Sequence, residues 1–162
     1  MSKYFGKYRG SVENNIDPLM LGRVQVSCPS VLASGQLSWA MPCVPFEGFF
    51  MVPAIGTKVW VEFEGGDPDY PILAGCFWSQ TSDVPASPAM AEQKVIKTEG
   101  ITLTMSDLPG GGGVKLEVGS PGVAVPMKLV MDASGIELSM GANSVKLSNA
   151  GVSINNGALE VI

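Results

Sequence analysis

Few residues in this 162-residue chain are of a type that does chemistry, and those present are poorly placed to act together. Histidine is absent altogether. That removes Ser-His-Asp and Cys-His nucleophile systems, HExxH zinc sites and the two-His-one-carboxylate iron site. The cysteines are Cys28, Cys43 and Cys76. An odd count without CxxC spacing reads as small buried hydrophobes in a reducing compartment. Asp67 and Asp69 could pair as acid and base or ligate calcium, but the further oxygen ligands of a calcium loop are missing, and turn residues are the simpler reading. Ser27 has no histidine to activate it, and no SxxK motif supplies a lysine. Gly110-Gly111-Gly112-Gly113 continues into Val114-Lys115-Leu116 rather than GK[ST], so it reads as a flexible loop and not a phosphate cradle. Trp39, Trp60 and Trp78 with Phe49, Phe50 and Phe77 could stack on bases. The balance of 10 basic against 15 acidic residues, net -5, opposes that, because phosphate neutralisation dominates such affinity. Core or protein-contact aromatics fit better. The chain is therefore read as non-enzymatic, with no catalytic residue, no metal site and no cofactor.

The elements that carry these residues are strands. Period-two alternation runs along the chain, broken by Gly, Pro, Asn and Asp. Tyr8–Val12, Arg23–Cys28, Trp39–Cys43, Phe49–Val52, Lys58–Phe63 and Ile72–Phe77 are the candidates in the first half. Asn14–Pro18 and Gly65–Pro68 are turns. Lys58–Phe63 puts Val59, Val61 and Phe63 on one face and Lys58, Trp60 and Glu62 on the other. Five or six short strands in about 80 residues suit a small closed barrel of the OB type, which leaves no free edge. Residues 1–82 are assigned to it. Residues 83–98, polar and broken by Pro85 and Pro88, read as a linker.

Residues 99–162 differ in kind. Short alternating strands recur, the last four every 7–9 residues, with Ser134-Gly135, Gly141-Ala142-Asn143, Asn149-Ala150-Gly151 and Asn156-Gly157 between them. Ile101, Leu103, Val114, Leu116, Leu129, Met131, Ile136, Leu138, Val145, Leu147, Val152, Ile154, Leu159 and Val161 fall on one face. None is aromatic, and one such face alone is too thin to make a core. Three chains winding about one axis would bury these faces together, with unbranched Met105, Met131 and Met140 filling irregular gaps. The expected fold is thus all-β: an OB barrel followed by an intertwined triple-stranded β-prism built by a homotrimer, stiffened by hydrogen bonds between chains. Charged residues are only 15% of the chain, against roughly 25% in ordinary soluble domains, which also points to surface hidden against copies of itself or partners.

Particular motifs sharpen this. Tyr8-Arg9-Gly10, Asn15-Ile16-Asp17-Pro18, Leu21–Val26, Ser38–Pro42, Pro53–Phe63 and Gly66–Gly75, in that order, resemble the OB domain of phage baseplate assembly protein V and VgrG spike proteins of contractile injection systems. The stretch 152–161 is similar to the C-terminal β-structure of the family's short members. The resemblance implies a homotrimeric spike whose collar docks on a separate hub protein. Its tip, at Leu159, Val161 and Ile162, would receive a PAAR-type cone. Sheath contraction would drive it through a target membrane. Effector cargo and a transient membrane encounter belong to the same picture; nucleic acid does not. Trp60, on the outward face of the barrel, becomes a candidate for collar or hub contact. With no apolar leader segment at its start and no apolar run of transmembrane length, the chain is expected to be made in the cytoplasm and built into a baseplate or released particle. The alternative is an OB nucleic-acid or protein-binding module with a β-rich tail. A hydrolase using Asp67 is a third reading, and neither explains the C-terminal repeat.

Overall fold

The computed structural model describes residues 2–161. It divides into two compact units, Met1–Thr81 and Ser82–Ile162, each built from strands.

The first unit is a closed five-stranded barrel: β1 (Tyr8–Asn14), β2 (Val24–Ser27), β3 (Ser38–Pro42), β4 (Lys58–Phe63) and β5 (Pro71–Cys76), in the order β1-β2-β3-β5-β4 and back to β1. All neighbours are antiparallel except β3 and β5. Alternation dictates the interior. Val12, Val24, Val26, Ala40, Val59 and Val61 are fully buried, and Cys28, Leu32, Phe63 and Leu73 nearly so. At this diameter β-branched side chains are the right size to fill the lumen. Gly10 is required where β1 crosses its neighbours, since a Cβ there would lie 2.6 Å from the Ser27 carbonyl oxygen and 2.9 Å from Val61 Cγ2. The expected strand at Phe49–Val52 does not form. Pro45 and Pro53 flank it, five strands already close the barrel, and the segment runs outside with Phe50 82% exposed.

The second unit is one eight-stranded antiparallel meander: β6 (Gln93–Lys97), β7 (Ile101–Ser106), β8 (Gly113–Val118), β9 (Met127–Asp132), β10 (Gly135–Met140), β11 (Asn143–Ser148), β12 (Gly151–Ile154) and β13 (Leu159–Val161). β6 lies within the stretch 83–98, so the expected linker ends before Gln93. Its Lys-Val-Ile-Lys sequence shows no period of two, and only pairing with β7 reveals it. Two-residue turns join β9 to β10, β10 to β11 and β11 to β12, with Gly141 at φ 58° in the second. The turn into β13 uses Asn155, Asn156 and Gly157, all at positive φ, a region that Asn and Gly enter at least cost. Each ladder joins strands adjacent in sequence, so among the described residues the order across the sheet follows the order along the chain. What remains for a neighbour is the sheet's face and its two edges.

Candidate functional site

The register of the meander lines up its side chains in columns. Leu103, Leu116, Leu129, Leu138, Val145, Ile154 and Leu159 form one column, each opposite the next. Met105, Val114, Met131, Ile136, Leu147, Val152 and Val161 form a second. Ile101, Val118, Met127 and Met140 add a third, shorter one. The structure therefore brings every described residue of the expected trimer core onto one face. Ile162 lies outside the described residues.

This face is bare. Leu138 is 53% exposed and Leu159 57%, and no described residue beyond Leu73 is buried. A trough of about 630 Å³ runs across it, with Leu116, Met127, Leu129, Leu138, Met140 and Val145 in its wall. Asn143, Ser144 and Asn155 also line it, but the Asn155 side-chain oxygen already accepts from the Ser144 backbone N–H at 2.9 Å, and the wall is otherwise mostly apolar. The opposite face is polar. Val95, Thr104, Lys115, Val130, Glu137, Lys146, Ser153 and Glu160 form its central column. The Lys115 ammonium, 2.9 Å from Glu117, and the Lys128 ammonium at 3.3 Å hold the Glu117 carboxyl below its usual range. Such surface pairs add little stability. They mark the face that meets water. An eight-stranded sheet with one apolar face and no second layer is half of a structure.

The groups that could do chemistry are accounted for locally. The Asp67 carboxylate accepts from the Asp69 backbone N–H at 3.1 Å within its own turn. Gly113 sits where β8 approaches β9 so closely that a Cβ would strike the Met131 carbonyl oxygen, which explains the end of the glycine run without a phosphate. On the barrel, Ser11 and Ser27 donate to Glu13 Oε1 at 2.6 and 2.7 Å and lower its pKa, a surface bridge across β1 and β2. Cys28 is buried, and burial raises its pKa; Cys43 and Cys76 are exposed, contrary to the expectation for all three. Both exposed thiols lie at the ends of strands β3 and β5, beyond the last inward-facing positions.

Trp60 lies on the outer face of β4, half covered by Phe77 at 4.8 Å between ring centroids and by the Arg9 guanidinium at 5.6 Å. More exposed apolar surface lies elsewhere on the barrel. In the loop 15–22, Ile16, Leu19 and Met20 are 77%, 62% and 91% exposed. The Asp17 carboxylate holds this loop. It accepts from the backbone N–H groups of Leu19, Leu21 and Arg23, and from Arg23 Nε and Nη2, the last at 2.7 Å. The Arg23 guanidinium, with the backbone donors, holds the carboxyl well below the usual range. Arg23 in turn lies over Trp39 at 5.3 Å. In sequence this surface is marked by Leu19-Met20-Leu21, three large apolar residues in a row inside a turn.

Two family models match. Residues 8–78 match a type VI secretion system and phage-baseplate injector OB domain. Residues 93–160 match a phage baseplate V C-terminal trimerisation domain, which supports a homotrimer. Among curated proteins, the chain is 36% identical over 67 residues to the type VI secretion system spike protein VgrG5 of Pseudomonas aeruginosa, covering 41% of this chain and 8% of that one. It is 42% identical over 53 residues to the actin cross-linking toxin VgrG1 of Vibrio cholerae, covering 32% of this chain and 5% of that one. The match therefore spans less than a tenth of either relative.

Proposed function

Because the chain belongs to the baseplate V and VgrG-like family of spike proteins, we propose that three copies assemble into the non-enzymatic central spike of a contractile injection machine. In this reading the five-stranded barrel forms a collar and the eight-stranded unit, from β6 onward, a prism. The collar docks on a hub trimer, and sheath contraction drives the spike through the target envelope. The observation that carries it is the second unit, in which eight strands present a continuous apolar face and no described residue is fully buried. Burying a Leu or Ile fully yields about 1.5–3 kcal/mol, so each half-exposed side chain of that face has about 1 kcal/mol left to gain. A neighbour offering the same face gains as much, and three around an axis leave no face uncovered.

The trimer core is the set named above, from Ile101 to Val161. Leu159 and Val161 on β13 are proposed to contact a PAAR-type tip protein, and Trp60 to lie at the collar or hub. The load of puncture falls on ladders within each chain and on the packing between faces. Each bond contributes only about 1 kcal/mol net, but bending such a sheet strains many at once. The test is solution mass by light scattering on a size-exclusion column. A mass near three times 16.9 kDa that survives dilution is expected. A monomer would overturn the proposal, because nothing else would cover the face.

A further inference from the structure

The turn from β12 into β13, residues 155–158, carries the dipeptide Asn156-Gly157. Asparagine before glycine is a thermolabile pair, because a nitrogen with no Cβ beside it can close on the Asn Cγ to form a succinimide ring. At the other asparagines the structure ties up one of the two reacting groups. The Asn14 amide donates to Gln25 Oε1 at 3.2 Å, and the Asn15 amide to the Pro53 carbonyl at 3.2 Å. After Asn143, the Ser144 N–H donates to Asn155 Oδ1 at 2.9 Å. After Asn149, the Ala150 N–H donates to Ser148 Oγ at 3.3 Å. Asn155 is held by that Ser144 bond and by its own N–H, which donates to the Ser144 carbonyl at 2.8 Å. At Asn156, among the described residues, neither the side-chain amide nor the following Gly157 N–H has a hydrogen-bond partner. Both residues are exposed, and the atoms nearest to a Cβ at Gly157 belong to the flexible Glu160 carboxylate. The bond across the turn, from the Ala158 N–H to the Asn155 carbonyl, is a long 3.4 Å, so the turn resists little when the two groups approach.

We infer that Asn156-Gly157 is a self-modifying site whose conversion loosens β13. The Gly157 nitrogen gives its proton to water and attacks Asn156 Cγ. A bond forms between that nitrogen and Cγ, the Cγ–Nδ2 bond breaks, and ammonia leaves. Water then opens the succinimide at either carbonyl and leaves aspartate or isoaspartate at position 156. Nothing is oxidised or reduced, and water is the only co-reactant. The consequence falls on β13, which is exposed along its length and, among the described residues, pairs only with β12. Isoaspartate routes the main chain through Cβ. That adds a methylene to a short turn whose closing pair is Ile154 opposite Leu159. A turn of fixed length sets the register of the strands it joins, so the longer one holds β13 less firmly. The conversion runs one way and needs no second chain, so it stands apart from the trimeric reading above.

Incubation of the purified full chain in neutral buffer, followed over time by peptide mass spectrometry, tests the chemistry; light scattering on the same sample reports the trimer separately. The mass gain of an amide becoming an acid is expected at this turn at least about tenfold faster than at Asn143 or Asn149. Labelling by an isoaspartyl methyltransferase should mark the same peptide. A folded chain that gains mass here no faster than at Asn149 overturns the site. In Asn156→Gln, whose longer side chain closes a ring far less readily, the gain at this turn should vanish. Its persistence would place the reaction at Asn155 and overturn the assignment. Amide hydrogen exchange reads the effect on β13. Leu159–Val161 should exchange faster in the isoaspartyl fraction than in the parent. Asn156→Asp, with the same charge on an ordinary main chain, should exchange at the parent's rate. Equal exchange in the isoaspartyl and parent chains overturns the loosening of β13, and equal acceleration in Asn156→Asp overturns the added methylene as its cause.

Discussion

Leu138→Asp, set beside Ser139→Asp, is the sharpest test of the sheet's two faces. Leu138 stands at the centre of the apolar face, between Leu129 on β9 and Val145 on β11. It is 53% exposed in one chain, and in the proposed trimer its neighbours would cover the rest, worth about 1 kcal/mol per chain. A carboxylate in its place loses that and adds several kcal/mol of desolvation per ion. Three copies bring the penalty to the order of 10 kcal/mol, about seven powers of ten in the assembly constant. Ser139, one residue on, points to the other face, opposite Lys128 and Ser144. A carboxylate there gains a cross-strand lysine and changes stability by about 0.2–1 kcal/mol in its favour. Light scattering at neutral pH should show Leu138→Asp as a monomer and Ser139→Asp at the mass of the parent. Burial in an assembly raises the pKa of a carboxyl, so assembly of Leu138→Asp should return in part as the pH falls and the group becomes neutral. A Leu138→Asp chain that stays trimeric at pH 7 would refute the inward assignment. Equal disruption by both variants would refute the register.

Two further outcomes follow from the barrel. For Asp17→Asn, the sign is set by a native pKa held far below the unfolded value of about 3.9. Its contribution is fully present above that value and is lost as pH falls through the native pKa. The thermal midpoint of the variant should therefore sit below that of the parent by a constant margin from pH 8 to 5, narrowing only below about pH 4; a margin that closes between pH 7 and 5 would contradict the Arg23 pairing. Gly10→Ala places a Cβ against the Ser27 carbonyl oxygen and Val61, an overpacking worth about 1–3 kcal/mol, which in a domain of this size lowers the barrel midpoint by roughly 5–20 °C without altering oligomer mass. Calorimetry reads both.

The legible parts of this molecule are those where one face is dry and the other wet. Lys58–Phe63 could be assigned residue by residue, because Val59, Val61 and Phe63 alternate with polar neighbours and fill a closed lumen. The columns of the second unit were legible for the same reason, since a period of two survives any uncertainty about strand ends. Phe49–Val52 misled because an apolar run between prolines resembles a strand whether it is inside or outside. β6 was missed because an edge strand is asked for little: Lys94 and Ile96 share a side, and only the partner strand decides their register. The Asp17 loop was hidden for another reason. Its order comes from one carboxylate gathering donors at positions 19, 21 and 23, a pattern with no period to detect.

The two-residue turns of the meander have an evolutionary corollary. Neighbouring strands stand about 4.8 Å apart, so eight of them extend roughly 34 Å in the ladder direction. Because each hairpin pairs only with the strands beside it, one can be duplicated or deleted without rewiring the others. Removing a single strand would reverse the direction of everything after it; removing two restores both direction and facing. Length in such a sheet should therefore drift between related genes in increments of about 9.6 Å.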